Sequence, residues 1–209
     1  MRLVEFARMA TQFSMLGIMN AALTERGWDE IVSLNDGTPE FRLMQRQWPR
    51  IVEAELEDGN YQFSRQETTL TALTPGRYGF DNSFQLPASA LHVRHVWFVT
   101  NSVRTTCDHW SMDDDGLYAT LPTGADCVIE YINCPDPAAW SARFAAGVQF
   151  KLEAALLRGL EGDAREASEM DAAGEVEFQK ARTKSSQSKS PDPITRQGGL
   201  AGARFRSRA

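Results

Sequence analysis

The chain has 209 residues, 42% of them apolar with 11 Phe and 5 Trp, enough to build a core and to exclude wholesale disorder. Its formal charge is −6, and charges interrupt every long apolar stretch, which excludes a bilayer-spanning helix. Glu5 and Arg8 break the first apolar run and no small-residue cleavage site follows, so the expectation is a soluble product of a cytoplasm.

In chain order, Leu3–Leu23 predicts a helix, with Val4, Ala7, Phe13 and Leu16 at mixed three- and four-residue spacings. A polar link through Gly27, Asn35, Asp36 and Gly37 follows. Thr38-Pro39 then starts a second helix over about 38–57, with Thr as N-cap and Pro at the first helical position. Phe41, Met44, Trp48, Ile51, Val52 and Leu56 mark one face, and Asp58-Gly59-Asn60 stops it.

From about 61 to 132 the pattern changes to short runs of Val, Thr and aromatic residues. Pro75-Gly76, Asp81-Asn82, Asn101-Ser102, Asp114-Asp115-Gly116 and Thr123-Gly124 separate them, which predicts an antiparallel sheet with tight turns. Asn101-Ser102 is expected to join two hairpin strands. Asp136-Pro137 opens a third helix over about 137–160. Its apolar face carries Trp140, Phe144, Val148, Leu152 and Leu156, and burying Trp140 or Phe144 is worth roughly 2–3 kcal/mol each. Asp163 caps a fourth, thinly apolar helix to about 182, with Ala167, Met170, Gly174 and Phe178.

Residues 183–209 are rich in Ser, Pro, Gly, Lys and Arg and are expected to form a flexible arm beyond a domain of residues 1–182. Residues 180–209 hold eight Lys or Arg and one acid, a net of +7 in a chain of −6, which leaves −13 on the first 179 residues. An acidic body of that kind repels nucleic acid. The arm has three readings: a phosphate-binding tail, a solvated tail, or a protein-docking arm. In the docking reading Lys184, Lys189, Arg196, Arg204, Arg206 and Arg208 meet an acidic groove, with Leu200 and Phe205 as apolar anchors.

No catalytic signature is present: no phosphate-binding Gly-Lys-Ser/Thr loop, no Gly-x-Ser-x-Gly elbow and no His-Glu-x-x-His. The expectation is therefore no enzyme, no cofactor and no metal. His92 and His95 stand three apart in a strand and are expected to face opposite sides. Asp113-Asp114-Asp115-Gly116 lacks the later Glu of a calcium loop and is expected to be a solvated turn. Cys107, Cys127 and Cys134 form no paired motif, so reduced thiols are expected.

Three blocks carry a family resemblance. One is Ile31-Val-Ser-Leu-Asn-Asp-Gly-Thr-Pro-Glu-Phe-Arg, with Val52-Glu-Ala-Glu-Leu, Tyr61-Gln-Phe and Arg65. The second is Tyr78-Gly-Phe, Leu86-Pro-Ala and Leu91-His-Val-Arg-His-Val. The third is Ile129-Glu-Tyr-Ile, Asp136, Trp140, Phe144 and the Ala/Leu-rich helix through Leu160. In order and spacing, over about 31–182, the chain resembles the head-to-tail adaptor proteins of tailed phages, of the tail tubular protein A type. The resemblance implies an α+β fold, with a helical bundle formed by the N- and C-terminal helices and a small antiparallel sheet domain between. It also implies a structural virion protein at the head–tail junction: a dodecameric connector ring that binds the portal protein, receives the tail or nozzle protein, and lines the channel. Double-stranded DNA would pass that channel during genome ejection without sequence-specific binding and without a membrane. A DNA-contacting packaging protein that uses the basic arm is the alternative.

Overall fold

The computed structural model describes residues 13–73 and 76–188, which form four helices and two antiparallel sheets, an α+β arrangement. The Ser14 hydroxyl accepts the Gly17 N–H at 3.0 Å and starts α1 (Met15–Thr24). The expected helix over 3–23 therefore has its described part from Met15 onward, and residues 3–12 lie outside the described residues.

Thr38 caps α2 (Pro39–Asp58) by accepting the Phe41 N–H at 3.4 Å. Pro49 sits inside this helix and forfeits one backbone hydrogen bond. The helix continues through it because Met44 before and Val52 and Leu56 after are buried. Gly59 ends α2 with φ −85°, so no left-handed turn requires glycine here. The requirement is space: a Cβ would strike the Tyr61 ring and the Glu55 carbonyl.

The start of the third helix needs correction. Asp136 accepts the Ala138 N–H at 2.8 Å, but this caps only a short 3-10 turn, Pro137–Ala139. The helix α3 (Ala142–Leu156) begins five residues after Pro137, capped by Ser141, which accepts the Phe144 N–H at 3.3 Å. α3 widens into a π turn, Leu157–Glu161, and left-handed Gly162 (φ 74°) closes it.

Asp163 caps α4 by accepting the Glu166 N–H at 2.9 Å, and α4 runs Ala164–Gln187. The expected end near 182 and an arm starting at 183 are therefore both corrected: residues 183–187 are helical. Ser185 explains the extension. Its hydroxyl accepts the Gln62 N–H at 2.7 Å and donates to the Asn60 carbonyl at 3.2 Å, which ties the last turn to the chain that follows α2.

The strands are β1 (Arg65–Leu70), β2 (Ala72–Leu73), β3 (Asn82–Phe84), β4 (Ala90–Thr100), β5 (Val103–Thr106), β6 (Trp110–Asp113), β7 (Gly116–Ala119) and β8 (Asp126–Asn133). One sheet has the order β1-β8-β4-β5 and the other β2-β3-β7-β6. Asn101 and Ser102 both have positive φ (51° and 65°), the signature of a tight turn matched to strand twist, and they join β4 to β5.

Register shifts in β4 overturn one expectation. The ladder with β8 skips Leu91 and Arg94, so His92 pairs with Ile132 and His95 with Glu130. His92 and His95 therefore share a face, both exposed, while Val93 and Val96 are buried on the other.

Among the described residues two main apolar clusters result, beside a small third one of Ala154, Leu157 and Ala167. The larger joins the helices and includes Met19, Leu23, Phe41, Val52, Tyr61, Phe144, Leu152 and Phe178. The smaller lies between the sheets and includes Phe84, Val96, Leu117, Cys127 and Ile129. β8 serves both: Ile132 enters the helical cluster, and its neighbour Tyr131 enters the sheet cluster.

Candidate functional site

The centre of the helical core is built where α2, α3, α4 and the turn after α2 meet. Phe144 is at its centre. The Trp140 ring lies edge-on to it at 4.8 Å, the Tyr61 ring at 4.9 Å and the Phe63 ring at 5.2 Å, and Phe178 tilts against it at 5.5 Å. Trp48 stacks on Trp140 at 5.5 Å, and the Trp140 indole N–H donates to the Pro135 carbonyl at 3.0 Å. Trp140, Phe144, Val148 and Leu152 are buried in this cluster, and Trp48 packs against it partly buried. Gly147 lets the Phe178 ring lie on α3, since a Cβ there would stand 2.5 Å from that ring.

Around the aromatic centre run ion pairs that composition alone does not reveal. The Arg182 guanidinium grips the Glu55 carboxylate with two parallel bonds, Nε to Oε1 at 2.9 Å and Nη2 to Oε2 at 2.5 Å. The Tyr61 hydroxyl donates to the same carboxylate, and Arg182 also donates to Glu175 at 3.3 Å. Glu55 is 7% exposed, so only this set of donors makes its charge tolerable. Burial, then the bond to Glu55, pushes the Tyr61 hydroxyl well above its ordinary value, while Glu55 holds Arg182 protonated. Glu177 at 9% exposure is met by Arg143 and Lys180, each at 2.7 Å, and Lys180 first, then Arg143, holds its carboxyl below the usual range.

These contacts change the charge assignment. Lys180 and Arg182, counted with the basic C-terminal region, lie on α4 and are committed to Glu177 of α4 and Glu55 of α2. The signal that could have found them is helical spacing: Glu175, Phe178 and Arg182 lie at i, i+3 and i+7, so an arginine shares the face of a core aromatic.

A third buried acid sits on α3, facing Arg26 just beyond α1. Glu153, 2% exposed, accepts the Gln149 amide at 3.0 Å, and Arg26 stands 3.8 Å away while also pairing with Glu166. Burial raises the Glu153 carboxyl, partly offset by Gln149 and then Arg26.

Of the residues expected in the docking arm, Lys184 lies on the last turns of α4, exposed, beside a concavity of about 210 Å³ lined by Phe63, Trp140, Ala181 and Ser185. Lys189, Arg196, Leu200, Arg204, Phe205, Arg206 and Arg208 lie outside the described residues. Between α1 and α2 a concavity of about 320 Å³ is lined by Asp29, Glu30, Asp36 and Glu40 with Trp28. On the same link, Val32 and Leu34 are 89% and 47% exposed.

Among the described residues no group of three or more His, Cys, Asp or Glu is placed to hold a metal. His95 stacks on Trp97 at 5.5 Å and His109 lies against Phe80 at 4.8 Å. Cys107 and Cys127 are buried, and burial pushes the Cys127 thiol up to about 12. The Asp113-Asp114-Asp115-Gly116 segment turns β6 into β7. The Asp113 carboxylate accepts the Asp115 and Gly116 N–H groups at 2.9 and 3.1 Å, and the Tyr118 and Tyr78 hydroxyls at 3.0 and 2.8 Å. Its lone pairs are thus used by the protein itself.

No protein-family model matches the chain, and no curated protein matches it.

Two outcomes follow from the buried acids. Arg182→Ala strands Glu55, and since Arg182 is one-third exposed the expected loss is about 2–3 kcal/mol in urea denaturation, below that of a fully buried pair. Glu55→Ala with Arg182→Ala should cost less than the two single losses together; strict additivity would show that the fork carries no coupling. For Glu153 the folded value lies above the unfolded one, so its stabilising contribution is complete below about pH 4.3 and is lost as pH rises through the folded value. Glu153→Gln is therefore expected to raise the urea midpoint at pH 7 and to flatten its fall between pH 4 and 7. A lower midpoint at pH 7 would mean that Arg26 outweighs burial.

Proposed function

We propose that this chain is a structural subunit of a tailed-phage virion, a head-to-tail adaptor that assembles as a ring between the portal and the tail. In this reading the helices packed on α3 form the bundle of the adaptor, the two sheets project from it, and the C-terminal arm docks on the portal. The family resemblance of residues 31–182 motivates it. The single observation that carries it is the separation of charge: an acidic body, and a basic segment that leaves it at the end of α4.

The boundary of that separation moves once Lys180 and Arg182 are counted with the body: residues 183–209 carry +5 and residues 1–182 carry −11. With Lys180 paired to Glu177 of α4 and Arg182 to Glu55 of α2, the proposal assigns Lys184, Lys189, Arg196, Arg204, Arg206 and Arg208 to a partner. A ring of such bodies presents negative charge to DNA, which lets the duplex slide without sticking. Val32 and Leu34, exposed beside an acid-lined concavity, supply surface that a neighbouring subunit can cover. No residue constellation for bond-making chemistry enters this reading, and its partners are the portal, a tail or nozzle protein, other copies of the chain and passing DNA.

The second reading, a DNA-contacting structural or packaging protein, rests on the same basic segment and is separated by one experiment. Residues 189–209, not 183–209, are the unit to delete, because residues 183–187 belong to α4. The protein ending at Ser188 is expected to keep the urea midpoint of the full chain and to lose attachment to portal-bearing heads. Full attachment without the arm would contradict the proposal. In the DNA reading the full chain would instead bind free duplex with a log–log salt slope of about −5, the value for six engaged basic groups.

A further inference from the structure

Among the described residues every Lys and Arg has a carboxylate within 4.0 Å except Arg42, Arg46, Arg50 and Lys184. The three arginines lie on α2, all exposed, at i, i+4 and i+8. They form one stripe about 12 Å long. The stripe works against its own helix. Like charges at i, i+4 repel, and Arg42 closes the first turn, where the helix dipole disfavours a cation. Residues 1–182 carry −11, yet no carboxylate among the described residues meets this stripe. A local cost of this kind has its compensation in an anion from outside the subunit.

The complementary surface stands on the same chain. The concavity of about 320 Å³ between α1 and α2 is lined by Asp29, Glu30, Asp36 and Glu40 and by no basic residue. None of these acids has an ion-pair partner among the described residues, and Val32 and Leu34 are exposed on the same link. Glu40 stands about 160° around α2 from Arg42 and about 120° from Arg46. Acids and arginines therefore look out on different sides of the helix, and one subunit does not close its stripe on its own concavity.

We propose that the α2 stripe of Arg42, Arg46 and Arg50 docks in the acid-lined concavity of a second copy, head to tail, covering Val32 and Leu34 at the same contact. Unlike patches on different sides of one subunit make a contact that repeats, and it closes a ring when the rotation closes. Net charge opposes the approach of a DNA duplex and of a second copy alike. Only the second copy offers a concavity to receive the stripe and apolar side chains beside it. The contact rests on the ring reading for association between copies, and not on the place of that ring in a virion.

Sedimentation velocity of the full chain tests the contact. The natural chain is expected to associate at about 20 mM salt and to need roughly tenfold more protein at about 500 mM, where exposed charges are screened. One variant carries Arg42→Glu, Arg46→Glu and Arg50→Glu, and the other Asp29→Lys and Glu30→Lys. Each alone should stay monomeric where the natural chain associates. An equal mixture should recover association, because each variant then meets opposite charge at both of its contacts. That recovery also shows that both variants are folded. A natural chain that stays monomeric at low salt would overturn the contact and the ring reading with it. Association untouched by either reversal, or lost without recovery on mixing, would overturn this pairing of surfaces and leave the ring reading standing. Duplex binding by the natural chain that disappears with the arginines would assign the stripe to nucleic acid and overturn the second-copy proposal.

Discussion

The missing side chain at Gly147 sets the arrangement of the helices. Phe178 of α4 lies against the backbone of α3 there, and Gly174 of α4 approaches the Gly147 carbonyl in turn, where a Cβ would stand 3.2 Å away. Two helices brought that close place Phe144 among Tyr61, Phe63, Trp140 and Phe178. α1 and α2 pack on other faces of the same α3, and Ile132 carries the contact into β8. A side chain at Gly147 would separate α3 from α4 and move the Glu55–Arg182 fork apart with them. Close helix packing and a buried charge pair are thus one constraint: the apolar contact fixes the distance at which the carboxylate finds its guanidinium.

That coupling explains which parts of the fold were legible in the sequence. Thr38-Pro39, Asp163 and the Asn101-Ser102 turn act through neighbours in the chain, so their residue types were sufficient. The misjudged features depend on distant partners. α4 extends to Gln187 because Ser185 bonds to Asn60 and Gln62, more than a hundred residues earlier. Arg182 looked like part of a basic tail because its partner Glu55 lies on another helix. His92 and His95 share a face because bulges rephase β4 against β8, and strand alternation alone has no means of locating a bulge. Asp136-Pro137 is a sound helix start that the chain uses for a single 3-10 turn, since Ser141 four residues on offers a second cap.

The helical core and the ion pairs around it were legible in part. The apolar centre of that core follows from the spacing of Phe144, Val148 and Leu152, which fall on the α3 face that meets the cluster, while Trp140 reaches the same cluster from the 3-10 turn before α3. The acids near it were hidden in a composition rich in carboxylates. Only burial distinguishes Glu55 and Glu153 from the solvated ones, and burial is a property of the packed helices. The proposed role asks little of chemistry and much of charge placement: Lys180 and Arg182 on α4 pair with acids of the body, and the role assigns the basic residues after α4 to a partner.

The proposed position at the head–tail junction is tested most directly by electron microscopy of the particles made when this gene is disrupted. The account predicts heads that lack tails, empty or leaking DNA, with normal particles restored by supplying the protein. Complete tailed particles that retain their DNA would contradict it.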